Sequence, residues 1–183
     1  MAISQLYGWR YQVVLRMDVF MNGKLRNMSA IYITYGSKIL LLYRQGGRIV
    51  NNVWTSSAGG HFEANELNDA KACVLRELEE EIGITETDLK NLKMRYVTLR
   101  RTNGEIRQNY YFFAELCEGV NFELVSNEGL LQWFDFSELQ TLEMPYTAKY
   151  VIAHYLETGI YHDKIYGGIA NGEQVVFIEL PEF

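Results

Sequence analysis

GGHFEANELNDAKACVLRELEEEIGI, residues 59–84, decides the fold. Its second half predicts a helix. Ala70 to Glu81 contains neither Gly nor Pro, Asn68 or Asp69 supplies an N-cap oxygen, and Gly83 stands where a left-handed C-terminal residue is wanted. At about 100° per residue, Val74, Leu75, Leu78 and Ile82 share an apolar arc. Glu77, Glu80 and Glu81 gather on another arc, related as i, i+3 and i+4. Like charges at those spacings repel, and the end of the helix dipole nearest them disfavours anions. Arg76 is the i−4 neighbour of Glu80, but one cation does not neutralise this group. A helix composed against its own electrostatics points to a positive partner outside the chain, and a hard divalent cation with oxygen ligands fits best.

The stretch resembles the signature box of the Nudix hydrolases, the MutT-like family: Gly, five residues, Glu, seven residues, then Arg-Glu-aliphatic-x-Glu-Glu-x-Gly-aliphatic. Gly60, Glu66, Arg76, Glu77, Leu78, Glu80, Glu81, Gly83 and Ile84 supply every residue type in that pattern. One spacing departs, since nine residues, Leu67 to Leu75, separate Glu66 from Arg76. Two extra residues inside a helix would rotate everything beyond them by roughly 200°. The insertion is therefore expected in the loop or at the helix start, leaving Arg76 to Ile84 in register. The plain alternative, a solvated acidic helix face, does not account for the Gly-Gly pair and the single Arg.

The resemblance implies an α/β fold, a Nudix-type α/β/α sandwich with a mixed β-sheet. It further implies a Mg²⁺- or Mn²⁺-dependent hydrolase cleaving the pyrophosphate link of a nucleoside diphosphate joined to another moiety. On that reading Gly60, Glu77, Glu80 and Glu81 hold metal, and Arg76 orients a carboxylate. A carboxylate not fully occupied by metal, from the box (Glu80 among them) or Glu128, acts as base. Two rivals share the fold: a non-catalytic nucleotide-sensing domain, which would show eroded box carboxylates, and an isomerase, which would need a further Cys or Glu pair. Oxidised nucleoside triphosphates, sugar nucleotides, dinucleotides and coenzymes all stay open as substrates.

Composition sets bounds around that centre. At 183 residues, 48% hydrophobic and 22% charged, the chain suits one soluble domain with a full core. The net charge of −6 argues against nucleic acid and anionic membranes as partners, though not against a phosphate ligand beside a metal. Cys73 and Cys117 form no disulfide framework and are expected as reduced thiols. The opening MAISQLYGWRYQ lacks the apolar run of a signal peptide, and no stretch reaches membrane-spanning length, so a cytoplasmic protein is expected. Oligomeric state is left open, a homodimer included.

Along the chain, strands are predicted at Tyr11–Phe20, Met28–Tyr35 and Lys38–Tyr43, with turns at Asn22-Gly23 and Gly36-Ser37. ILLLY is apolar enough to lie centrally in a sheet. Arg44 and Arg48 lead towards Trp54 and the Gly-Gly pair; they are either solvated loop charge or phosphate contacts. Trp54 is a candidate for stacking on the base, and His61 is either a substrate contact or a loop residue. Thr85–Leu92 reads as a polar connection with a helical turn. Met94–Arg101 and Ile106–Leu116 flank the hairpin signal Asn103-Gly104, and a short strand is predicted at Phe122–Val125. In SNEGLLQWFDFSEL, Glu128 matches the family's Glu ahead of a Trp-bearing strand: a further metal ligand, the base, or an exposed loop acid. Thr147–Thr158 predicts a second helix closed by Gly159, and Lys164–Ile169 with Gln174–Leu180 a last hairpin. The expected core runs over about 25–158, with the first strand and last hairpin as extensions of a single domain spanning 1–183.

If the helix acids bind metal, calorimetric titration with Mn²⁺ will show at least one site, weakened in Glu81→Gln. A cation that binds only the folded form adds about 2.7 kcal/mol at a hundredfold excess over Kd. That amounts to a rise in melting temperature of roughly 5–10 °C for a domain of this size. Unchanged binding in the variant and an unmoved melting temperature would remove these ligands from consideration.

Overall fold

The computed structural model describes residues 23–45 and 52–183. The predicted strand Tyr11–Phe20 and Arg48 lie outside them. Strands β1 (Lys24–Tyr35) and β2 (Lys38–Arg44) form the hairpin expected at Gly36-Ser37, with Gly36 at φ 58°. β3 (Val53–Thr55) pairs with β2, and helix α1 (Ala70–Ile82) follows. A 3₁₀ turn at Glu86–Asp88 leads into β4 (Leu89–Thr102), then β5 (Glu105–Leu116). β6 (Val125–Ser126) and β7 (Gly129–Asp135) precede helix α2 (Tyr146–Glu157) and the closing hairpin β8 (Tyr166–Ala170) and β9 (Val175–Glu179).

Among the described residues these strands form one mixed sheet in the order β6-β7-β2-β1-β5-β4-β8-β9, with β3 paired to β2 off this path. β1–β5 and β4–β8 run parallel and the other pairings antiparallel. Each face carries a helix, which gives the α/β/α sandwich. On one face Val74, Leu78 and Ile82 of α1 pack over Ile31, Ile33, Leu40 and Phe112. On the other Val151, Ile152 and Tyr155 of α2 cover Tyr32, Ile39, Leu41 and Phe113. β2 is fully interior, as its apolar run requires.

The local chemistry of α1 matches its sequence. Asp69 is the N-cap, its side chain accepting from the Ala72 amide at 2.9 Å, and Gly83 closes the helix at φ 69°. Other boundaries move. β4 begins at Leu89 rather than Met94, with register shifts at Lys90/Lys93 and Met94/Tyr96. Of the predicted Phe122–Val125 strand only Val125 joins the ladder, with Ser126 after it, while Phe122 packs into the α1-side core. α2 ends at Glu157 with Thr158 as its cap, and Gly159 starts a 3₁₀ turn against the Tyr96 hydroxyl. The last hairpin is hydrogen-bonded in parallel to β4 at the sheet's edge. Among the described residues no helix is long and apolar enough to cross a membrane.

One feature of the sheet prepares the site. β1 and β2 pair only over Ile33–Tyr35 and Lys38–Leu40, then diverge. Ser57, fully buried, wedges the fork: its hydroxyl accepts from the Ile33 amide at 2.9 Å and donates to the Leu40 carbonyl at 2.6 Å. The segment after Ser57 then runs along β1 as a substitute strand. The Ile31 amide donates to the Ala58 carbonyl at 3.0 Å and the Ser29 amide to the Gly60 carbonyl at 2.9 Å.

Candidate active site

Gly59 and Gly60 are fixed by crowding on both sides. Gly59 sits at φ 150°, and a Cβ there would stand 2.3 Å from the Ser29 carbonyl oxygen. A Cβ on Gly60 would stand 2.2 Å from a carboxylate oxygen of Glu77. Only a chain without side chains passes between β1 and the acidic face of α1.

Arg76 organises that face. Its guanidinium donates to Glu66 through Nε at 2.6 Å and Nη2 at 3.0 Å, a two-point grip on a carboxylate that is 4% exposed. The same group reaches Glu77 at 3.0 Å, Glu80 at 3.1 Å and the His61 carbonyl at 3.1 Å. It therefore joins the loop after Gly60 to the helix and holds three carboxylates at once. The hydrogen bonds from Arg76 hold the Glu66 carboxyl at about 2, well below the usual carboxylate range. Glu66 also accepts from the Glu63 amide at 2.9 Å, and the chain turns at Leu67–Asn68 before the helix starts at Ala70.

The box acids differ in environment although they share a helix face. Glu81 is 8% exposed and accepts from the Gly59 amide at 3.1 Å. Burial pushes its carboxyl up to about 8, reinforced by the negative charges of Glu128 and Glu77. Glu77 is partly buried and is also raised, chiefly by burial and against the pull of Arg76. Glu80 faces water, its side chain 58% exposed, and meets Arg76 across one helical turn. Glu128, on the loop before β7, is gripped by Nη2 of Arg44 at 2.8 and 2.9 Å. Two residues assigned separately from sequence are thus partners, because β2–β7 pairing sets Arg44 opposite Gly129.

Trp54 and His61 take other places. The Trp54 ring is half-buried against Tyr43 and Phe134, at centroid distances of 4.9 and 4.5 Å, on the α2 side of the sheet. His61 is exposed, and its Nε2 accepts from Nε of Arg26. Partial desolvation of the ring beside Arg26, and then the charge of Arg26, lower its pKa. His154 and His162 are packing residues, His154 bonding the Tyr96 hydroxyl at 2.9 Å and His162 the Tyr166 hydroxyl at 3.1 Å. Both cysteines are free thiols, Cys73 buried beside the Ser29 hydroxyl at 3.1 Å.

A cavity opens from this acidic corner through the fork between β1 and β2. Glu81, Glu128 and Arg44 stand at one side, and Tyr32, Tyr111, Asn109, Arg100 and Arg107 form its wall, with Pro145 and Ala148 from the start of α2 above. The wall residues carry no local signature in the sequence. The parallel β1–β5 pairing and the β4–β5 hairpin bring them together, and the Asn103-Gly104 turn is the only hint of the second of these.

The NUDIX domain model matches residues 24–155. The chain belongs to the NUDIX family. Solved structures share its fold. The MutT protein from Bacillus halodurans aligns at a TM-score of 0.61 and 24% identity over 86% of this chain and 99% of its own. The MutT protein from Methanosarcina mazei Go1 aligns at 0.63 and 17%, over 76% and 98%. The E. coli ORF135 protein aligns at 0.58 and 19%, over 76% and 94%. Comparison with curated protein sequences gives no match. Its family is NUDIX, and its fold is that of these solved structures.

The donor chemistry of the corner suits a hard divalent cation: carboxylates, partly buried and mutually repelling, and no soft ligand among them. Among the described residues no three acidic, His or Cys side chains stand at metal-ligand spacing. Glu77 and Glu80 are held by Arg76, Glu81 by the Gly59 amide and Glu128 by Arg44. The Gly60 carbonyl carries the Ser29 amide on one lone pair.

Two pH-dependent outcomes follow. Glu66 has a folded pKa near 2, below its ordinary 4.5, so its contribution is complete above 4.5 and fades as pH falls towards 2. Glu66→Gln should cost about 2 kcal/mol at neutral pH. That is a fall of roughly 4–8 °C in melting temperature, with the gap to the wild type closing through that acid window. Glu81 carries the opposite sign. Its folded pKa near 8 lies above 4.5, so the metal-free fold loses stability as pH rises from 4.5 to 8. In EDTA, Glu81→Gln should gain on the wild type steadily across that range. Parallel melting curves for either variant would refute the corresponding assignment.

Proposed function

We propose that this chain is a divalent-metal-dependent pyrophosphohydrolase acting on a nucleoside diphosphate linked to another moiety. The observation that carries the proposal is the placement of Glu77, Glu81 and Glu128 around Gly59-Gly60, at the mouth of a cavity with arginines on its walls. A water-accessible cavity joining a set of repelling carboxylates to guanidinium groups suits a phosphate ester bound through a cation.

Glu77, Glu80 and Glu81, with the Gly60 carbonyl, would hold Mg²⁺ or Mn²⁺. Once bound, such an ion neutralises charge on the phosphate oxygens and makes water a better nucleophile at neutral pH. The chain's own residues have defined work around it. Arg76 is a positioning residue: its hydrogen bonds are spent on Glu66, Glu77, Glu80 and the His61 carbonyl, so it fixes carboxylate directions. Glu80, exposed, can exchange its contact with Arg76 for another partner without a burial cost. On this reading Glu128 accepts a proton at the cavity edge, a role its place in the lining and its ion pair with Arg44 support. Arg44 also offers guanidinium N–H groups towards phosphate oxygens at that edge. Trp54, packed against Tyr43 and Phe134, supports the β2–β3 pair and leaves base recognition to the cavity wall.

The test is a panel of sugar nucleotides, dinucleotides, coenzymes and oxidised nucleoside triphosphates, assayed for phosphate or pyrophosphate release with and without Mg²⁺. We expect release from at least one compound only with Mg²⁺. Glu81→Gln should lower kcat by about a hundredfold or more, the scale of losing a group that acts on the transition state. No release from any compound, or equal release in EDTA, would defeat the proposal.

A further inference from the structure

At the far wall of the cavity, and beside it on β1, the sheet repeats with opposite sign the electrostatic conflict of the helix. Arg26 on β1 lies opposite Arg107 on β5, and Arg107 lies opposite Arg100 on β4. Residues directly across from one another share a face of the sheet, so three guanidinium side chains form one row over three adjacent strands. Like charges in directly opposed positions destabilise a ladder. Glu105 offers the row its one carboxylate contact among the described residues, at 3.4 Å from Arg107 and 3.8 Å from Arg26. Arg100 has no carboxylate partner among the described residues, and its Nε is buried without a hydrogen bond. The Tyr32 hydroxyl, on a fully buried side chain in the same wall, is also unpartnered among the described residues. Buried N–H and O–H groups left without acceptors cost stability, and both of these belong to residues that line one cavity.

The spacing relates this wall to the acidic corner. Gly59 abuts Ser29, and Arg26 is three residues away on the same strand. At about 3.3 Å per residue, the arginine row lies about 10 Å along the strand from Ser29, against which Gly59 rests. Arg100, Arg107 and Glu81 line a single cavity.

We propose that this end of the cavity is a recognition site for a second anionic group on the substrate, a phosphate monoester or a carboxylate, held by Arg100 and Arg107. Resting on the hydrolase reading above, this narrows the substrate to a pyrophosphate-linked compound carrying a further anion within reach of the same cavity. Guanidinium groups on neighbouring strands present paired N–H donors to such an oxyanion, and its charge removes the repulsion between them.

The test measures binding separately from turnover. Calorimetry on the full chain, in EDTA and again with Ca²⁺, compares coenzyme A with dephospho-coenzyme A, which differ by one phosphate. It also compares UDP-glucuronate with UDP-glucose, which differ by a carboxylate. The charged member of at least one pair should bind roughly tenfold more tightly or better, the preferred pair naming the anion. Arg100→Met and Arg107→Met, which keep the apolar stem, should each bring that ratio close to one. Lys38→Met, an equal charge change on an exposed residue at the start of β2, should leave it standing. Equal affinities within both pairs, no binding of any of the four compounds, or a ratio unmoved in both arginine variants overturns the proposal. Turnover of the same compounds with Mg²⁺ judges the hydrolase reading alone. Charged-member preference with no turnover of these or any compound of the wider panel supports the anion site and defeats the reading; turnover without preference does the reverse.

Discussion

The guanidinium of Arg76 closes on the buried carboxylate of Glu66, and the geometry of the acidic corner depends on that grip. Glu66 belongs to a loop that has no secondary structure of its own, and Arg76 belongs to the middle of a helix. Joining them fixes the path of residues 61–69 against α1, which in turn holds Gly60 under Glu77. A buried carboxylate without a partner would protonate or draw in water. With Arg76 it stays ionised, and the remaining N–H groups of the guanidinium are free to direct Glu77 and Glu80. One cation thus sets the position of a loop and the orientation of the acids on the helix.

Around that anchor the protein accepts two local conflicts. On α1 carboxylates crowd together, and the most buried, Glu81, holds its proton to about pH 8 without a metal. On β1, β5 and β4 arginines crowd together, with one Nε unsatisfied. These costs are opposite in sign, and Glu81, Arg100 and Arg107 line the same cavity without an ion pair between them among the described residues. A bound molecule that brings cations to one end and an anion to the other relieves both. Sites that store such cost are where sequence rules of stability are expected to fail.

The fork in the sheet makes the cavity possible. Had β2 paired with β1 along its full length, no gap would exist for residues 57–60, and the Gly-Gly pair would have no strand to lie against. Ser57 holds the fork open by satisfying one backbone group from each strand. The packing of α2 on the opposite face then supplies the roof, through Pro145 and Ala148. Arg95 ties the chain after α2 down by donating to the carbonyls of Gly159, His162 and Lys164, so the roof is braced from β4.

By itself the sequence determined what depends on neighbours along the chain. Asp69 and Gly83 bound the helix, Val74, Leu78 and Ile82 choose its buried face, and the turn residues at Gly36 and Asn103-Gly104 set two hairpins. The residue types of the box, from Gly60 to Ile84, were enough to name the family, because capping, spacing and charge sign are local quantities. Tertiary structure alone decided how equal-looking acids differ. Glu77, Glu80 and Glu81 are identical letters at helical spacing, but only Glu81 turns towards Gly59 and loses its water, while Glu80 stays in solvent. It also decided that Arg44 belongs to Glu128, that Trp54 belongs to the α2-side core, and that Arg26, Arg100 and Arg107 form one row. Burial and strand register cause these outcomes, and both are set by contacts between residues far apart in the chain, where a run of letters carries no distance.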